Sequence, residues 1–196
     1  MSVSAGRVSV GDPPVTRWRR AAWIVALTLA STACRLPYYP GLTLPPPAGV
    51  ARLADSSGRP VGHAVLLQDG GNVRILIDVY GVAPGTKAVH IHGVGRCDPP
   101  SFQSAGGHFN PTKAQHGIAN PRGPHAGDLP NLTVDATGRG HLEVTATRVT
   151  LEKGSTSLFD ADGSALVMYE SADDTRADPA GNSGARVACG VIVRAE

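Results

Sequence analysis

Aromatic residues make up only 5% of this 196-residue chain, whereas glycine (24) and proline (16) are abundant. So many helix breakers argue against long helices and for short strands joined by turns. No internal repeat recurs. No apolar run is long enough to cross a bilayer, the longest being Ala21 to Ala33. An excess of one charge is missing too. The 18 basic and 16 acidic residues give a net +2, but the first 33 residues hold Arg7, Arg17, Arg19 and Arg20 against Asp12 alone, which leaves 14 against 15 in the remainder. No basic face for nucleic acid is left once that segment is set aside.

The segment itself reads as an export signal. Arg17, Arg19 and Arg20 precede the apolar stretch Ala21 to Ala33, too short to span a membrane and of the right length for a leader, so residues 1–33 are assigned to a signal peptide. Cys34 follows Ser31-Thr32-Ala33, a pattern similar to a bacterial lipobox apart from the serine. Acylation of Cys34 is expected, with plain cleavage nearby as the alternative, which makes the protein exported: periplasmic, or a cell-envelope lipoprotein attached to the membrane through that anchor. Residues 34–49 carry five prolines and read as a semi-extended tether, and residues 50–196 as the folded domain. With Cys34 removed from the count, Cys97 and Cys189 remain as a pair in an oxidising compartment. A disulfide between them would contribute roughly 4 to 5 kcal/mol by chain entropy. Two separate buried thiols are the other reading.

Strand character recurs at Ala64–Leu67, Val73–Val79, Ala88–His92, Leu132–Val134, His141–Val144, Val149–Leu151, Ala165–Tyr169 and Val187–Val193. Turn signals such as Asp69-Gly70-Gly71 and Asp160-Ala161-Asp162-Gly163 separate them. Many short strands at this spacing predict an all-β, antiparallel sandwich or barrel.

Five of the seven histidines, with one aspartate, fall in a single stretch: His90, His92, His108, His116, His125 and Asp128. His90 and His92 lie at i and i+2, so on a strand both imidazoles share a face. The other four belong to a Gly/Pro-rich run that reads as a long loop, and long loops in small domains carry function. His108, His116, His125 and Asp128 offer three nitrogens and one oxygen, the closed tetrahedral set that suits zinc. His90 and His92 are left over beside it, which predicts a second metal. His63 and His141 have no such company and are read as surface histidines.

Taken in order, His90-Ile91-His92, Cys97, Gly107-His108-Phe109-Asn110-Pro111, His116-Gly117, His125-Ala126-Gly127-Asp128, Ala172-Asp173-Asp174 and Gly181-Asn182-Ser183-Gly184-Ala185-Arg186-Val187-Ala188-Cys189-Gly190 resemble copper/zinc superoxide dismutase, from about Val50 to the end. The resemblance implies an eight-stranded Greek-key barrel with long metal-binding and disulfide loops. It implies copper on His90, His92 and His108, zinc on His108, His116, His125 and Asp128, and an imidazolate of His108 shared by the two. Asp173 would link a copper-side and a zinc-side histidine, Cys97 and Cys189 would form the disulfide, and Arg186 would stand over the copper to attract the superoxide anion. A homodimer also belongs to that expectation.

The pattern breaks at one position. The family takes a fourth histidine at copper, and in Leu166-Val167-Met168-Tyr169-Glu170-Ser171 it is Tyr169 that stands in that place, with no histidine after His141. Cu(II) prefers a tetragonal set of donors, so a missing imidazole weakens copper binding unless a Tyr169 phenolate replaces it. In addition, Gly93 stands where the family often has Glu, a change that bears on any dimer, and the loop from Asp173 to Ala185 has Arg176 as its only base. Two functions follow: a dismutase with an impaired copper site, or a non-catalytic zinc- and copper-binding protein used for copper sequestration or transfer. A third, with zinc alone stabilising an interaction module, leaves His90, His92, Asp173 and Arg186 without a role.

Overall fold

Alternation of apolar and polar residues is clearest in Asn72–Val79, where Val73, Ile75, Ile77 and Val79 are buried and the residues between them are half-exposed. A period of two puts one face of such a segment into a core and the other toward solvent. The computed structural model describes residues 46–196, so the leader, Cys34 and the tether as far as residue 45 lie outside the described residues. Nine strands are formed: β1 Gly49–Asp55, β2 Pro60–Asp69, β3 Asn72–Val79, β4 Gly85–Lys87, β5 Val89–His92, β6 Leu132–Val134, β7 Gly140–Ala146, β8 Ser164–Tyr169 and β9 Arg186–Arg194. All pair antiparallel in one sheet of order β4-β6-β7-β3-β2-β1-β9-β8-β5.

The two ends of that order are neighbours in sequence, separated only by Ala88. One run, Gly85 to His92, therefore pairs with β6 through its first half and with β8 through its second, and the sheet closes into a barrel. The expected eight strands become nine because this run is broken at Ala88, whose N–H donates to Ser171 O at 2.8 Å while its own carbonyl accepts from Tyr169 N at 2.9 Å. Crossings from β3 to β4 and from β7 to β8 give the Greek-key path. Inside, Leu53, Leu66, Ile75, Ile77, Ile91, Leu132, Leu158, Leu166 and Met168 are all essentially inaccessible. Each such side chain contributes roughly 1.5 to 3 kcal/mol of burial.

Two sequence readings are corrected. Strand β1 was not anticipated, because its inward residues are Ala51 and Leu53, and an alanine gives little hydrophobic signal. Val149–Leu151 is not a strand: it makes only the isolated bridge Thr150–Ser157, and Val149 and Leu151 are apolar because they plug the core from a turn. A disulfide joins Cys97 to Cys189, with Cα atoms 5.6 Å apart and 92 positions between them in sequence. It ties the loop after β5 to β9.

Candidate metal centre

The outer edge of β5 is where the long loop attaches. Ile91 N–H donates to Gly127 O at 2.9 Å, Phe109 N–H to Ile91 O at 2.8 Å, and Gly127 N–H to Phe109 O at 2.9 Å. His90 is bridged to Asp128 and His92 to His108 in the same way. The loop thus continues the sheet by a few rungs, and this brings its ligands to the histidines of the strand. Gly127 is required at that contact, since a Cβ there would overlap the Ile91 carbonyl.

Four ligand atoms converge in the loop. His108, His116, His125 and Asp128 each offer one atom within 4.8 Å of all the others. His108 Nδ1 and His116 Nδ1 lie 2.9 and 3.1 Å from Asp128 Oδ1, and His125 Nδ1 lies 3.3 Å from it. The second Asp128 oxygen accepts from the backbone N–H of Gly117 and of His125, both at 2.9 Å. Burial by itself would raise the Asp128 carboxyl, but the bonds from His108, His116 and Gly117 outweigh it and hold it far below the carboxylate range. The set is closed and dry, with the chemistry of a structural zinc site.

The copper-side residues lie on the other flank of His108. His90 and His92 are fully buried on β5, and their ring centroids lie 4.1 and 5.0 Å from that of His108. Each has one nitrogen assigned. His90 Nε2 lies 2.9 Å from Asp173 Oδ2, and His92 Nδ1 donates to Gly106 O at 3.0 Å. His90 Nδ1 is buried with no partner at all, a state that costs a few kcal/mol unless something binds there. Around this flank the donors are His90 Nδ1, His92 Nε2 and His108 Nε2, a set of imidazoles that suits copper. Burial pushes all three histidines below their ordinary value, His92 to about 2 with the charges of His108 and Arg186 adding to the effect. They are therefore neutral and ready to ligate near neutral pH.

Tyr169, at the end of β8, abuts His92 and His108. Its ring is buried, and its hydroxyl lies 3.0 Å from His92 Nε2 and 3.5 Å from His108 Nε2. Burial raises the phenol above its usual value, with Arg186 opposing this in part. Asp173 joins the two halves: Oδ2 meets His90 and Oδ1 lies 3.0 Å from His116 Nε2. His90, His116 and Asp173 form a hydrogen-bonded bridge that fixes two rings, and Asp173 Oδ1 also accepts from Thr175 N–H at 2.6 Å; the three side chains offer ligand atoms within 4.8 Å of one another. Gly181 makes room for it, since a Cβ at that position would overlap the carboxylate. Arg186 donates to the carbonyls of Phe102 and Gly106 at 2.6 and 2.7 Å. It lines, with Tyr169, Gln103 and Ala180, an open cavity of about 420 Å³.

His90, His92, His108, His116, His125, Asp128, Tyr169, Asp173 and Arg186, all named from sequence, lie together here, whereas Cys97 and Cys189 form the disulfide and Cys34 falls outside the described residues. Three others were not anticipated. Asn131 accepts from Asp173 N–H at 2.8 Å and donates to its carbonyl at 2.9 Å, which pins the bridging carboxylate, and nothing in its sequence context marks it. The Gly106 carbonyl, which orients His92, is a backbone atom and carries no sequence signal. Asp178, which reads as mere loop charge, accepts from His116 N–H at 2.6 Å.

A copper/zinc superoxide dismutase (SODC) profile matches residues 61–192. The chain belongs to the copper/zinc superoxide dismutase family. It is 46% identical over 144 residues to superoxide dismutase [Cu-Zn] 1 of Aquifex aeolicus, an alignment covering 72% of this chain and 85% of that protein. Superoxide dismutase-like protein YojM of Bacillus subtilis is 42% identical over 145 residues, covering 72% and 74%. A crystal structure of a SOD-like protein from Bacillus subtilis superposes with a TM-score of 0.71 at 40% identity, covering 74% of this chain and 97% of that one. Copper and zinc are the metals of the family, and His/Asp clusters of this barrel, His108-His116-His125-Asp128 and His90-His116-Asp173, could hold metal ions.

Proposed function

We propose that the protein is an exported superoxide dismutase whose copper is held by His90, His92 and His108, with Tyr169 standing in for a fourth imidazole. Zinc would be held by His108, His116, His125 and Asp128. The reading rests on one observation above all: Arg186 and Tyr169 line one solvent-open cavity, and the Tyr169 hydroxyl stands between that cavity and His92, 3.0 Å from its Nε2. A protein that only stored copper has no use for an arginine at such an entrance. The disulfide and the leader-like N-terminus support export.

Bound copper would supply alternating one-electron oxidation and reduction of superoxide. The chain's own residues do the rest. The Gly106 carbonyl fixes the His92 tautomer, so that Nε2 is the unprotonated nitrogen, which accepts from the Tyr169 hydroxyl at 3.0 Å. Asp173 holds His90 and His116 in register across the shared His108. Arg186, anchored by two carbonyls, keeps its positive charge at the cavity, where it draws an anion inward.

A second reading, a non-catalytic copper carrier of the same fold, is favoured by the raised phenol of Tyr169, which resists becoming a fourth donor to Cu(II). A relative named as superoxide dismutase-like fits it. The two readings part in one experiment. The protein is loaded with copper and zinc, both metals are counted, and superoxide removal is assayed beside Tyr169→His. Measurable activity in the native chain, raised in the variant, is expected. Copper retained without activity, with activity appearing only in the variant, would leave the carrier; no copper retained would end both readings.

A further inference from the structure

The two histidines outside the cluster are not isolated. His63 on β2 is paired with Asp78 on β3, and Asp78 is paired in turn with His141 on β7. The three therefore stand on one rung of three adjacent strands, all on the outer face, each about half exposed. His141 Nδ1 lies 2.8 Å from Asp78 Oδ1, and His63 Nε2 lies 3.9 Å from Asp78 Oδ2. Neighbouring strands are about 4.8 Å apart, so the two imidazoles flank the carboxylate from opposite sides and lean over it.

We propose that His63, Asp78 and His141 form a second, surface site for a divalent transition-metal ion, separate from the cluster at β5. Two imidazoles and one carboxylate are a borderline donor set, suited to zinc, copper(II) or nickel and poorly suited to magnesium or calcium. In a tetrahedral zinc site, ligand atoms about 2.0 to 2.1 Å from the ion sit about 3.3 Å from each other. The two imidazole–carboxylate separations bracket that value, one about half an ångström short and the other about half an ångström long, but they run to the two different Asp78 oxygens, and the three ligand atoms are not yet gathered within 4.8 Å of one another. Both half-exposed imidazoles must turn toward each other over Asp78 for one ion to reach all three. Glu143, one rung along, is engaged by Arg74 at 3.4 Å, which leaves Asp78 as the carboxylate between the two imidazoles. Water completes the coordination, which makes the site exchangeable.

The test uses the full chain with its cluster already filled by copper and zinc, titrated with zinc at about pH 7.5, where imidazoles are free to ligate. One further equivalent should bind to the native protein, and His63→Asn with His141→Asn together should weaken it at least tenfold. Asp78→Asn should do the same. In native protein, nickel should broaden the imidazole proton resonances of His63 and His141 before any other. No additional equivalent in the native chain, or equal binding by the double variant, would overturn the proposal. These side chains are exposed, so the variants fold and retain the cluster metals.

Discussion

Zinc binding should displace a proton from His116, and the geometry gives the amount. His116 lies between Asp128 Oδ1 at 3.1 Å and Asp173 Oδ1 at 3.0 Å. Burial would push its imidazole down, but the bonds and charges of the two carboxylates outweigh burial and raise it to about 9. Without metal it is a buried cation, with a proton on the Nδ1 that zinc needs. Each pH unit below that value makes the free nitrogen tenfold rarer, so the apparent zinc affinity at about pH 7 should be on the order of 100-fold weaker than above pH 9. His108 adds nothing to this slope, because burial lowers it and it is already neutral. Calorimetry in two buffers of different ionisation enthalpy should count about one proton released between about pH 7 and pH 8. No released proton, or a pH-independent affinity over that range, would refute the reasoning. The sign for stability follows. The raised His116 contributes to the metal-free fold fully below its unfolded value of 6.5 and loses that contribution as pH rises through about 9. The lowered Asp128 and Asp173 contribute above the ordinary carboxylate range and lose it as pH falls, and the lowered His90, His92 and His108 contribute fully above their unfolded value of 6.5 and lose it below. Metal-free protein should therefore resist urea best from about the unfolded imidazole value of 6.5 up toward about 9.

Two structural perturbations complete the set. Gly127→Ala should force the loop off β5, lowering stability by roughly 1 to 3 kcal/mol in urea unfolding and releasing zinc; an unchanged midpoint with zinc retained would contradict the close approach. Cys97→Ser with Cys189→Ser frees a loop of 92 positions and should cost about 4 to 5 kcal/mol on the chain-entropy account, again read from denaturant unfolding, whereas a loss below about 1 kcal/mol would contradict it.

The ligands were legible in sequence because metal chemistry restricts residue type so severely. His90 and His92 needed only the period of a strand, and His108, His116, His125 and Asp128 needed only their density in a Gly/Pro-rich run. The all-β class followed from turn residues between short apolar segments. What escaped was decided by backbone or by partners remote in sequence. Asn131 matters through two bonds to the main chain of Asp173, 42 positions away. Strand β1 is held by β2 and β9 on its two sides, so its alanines suffice in place of a strong pattern. Val149 and Leu151 misled because burial in a turn and burial in a strand look alike over three residues. His63 and His141 gained company only when β2, β3 and β7 lined up.

The broken run Gly85–His92 gives the barrel its closure and also offers the histidine pair. Among the described residues, the main-chain partners along that margin beyond β5 are the loop residues Gly107, Phe109 and Gly127, which the metals would fasten in place. An ion lost from the cluster thus loosens the cover over an unsatisfied row of N–H and C=O groups, the kind of margin along which one chain recruits another. Metal retention and resistance to self-association are then a single property of this molecule.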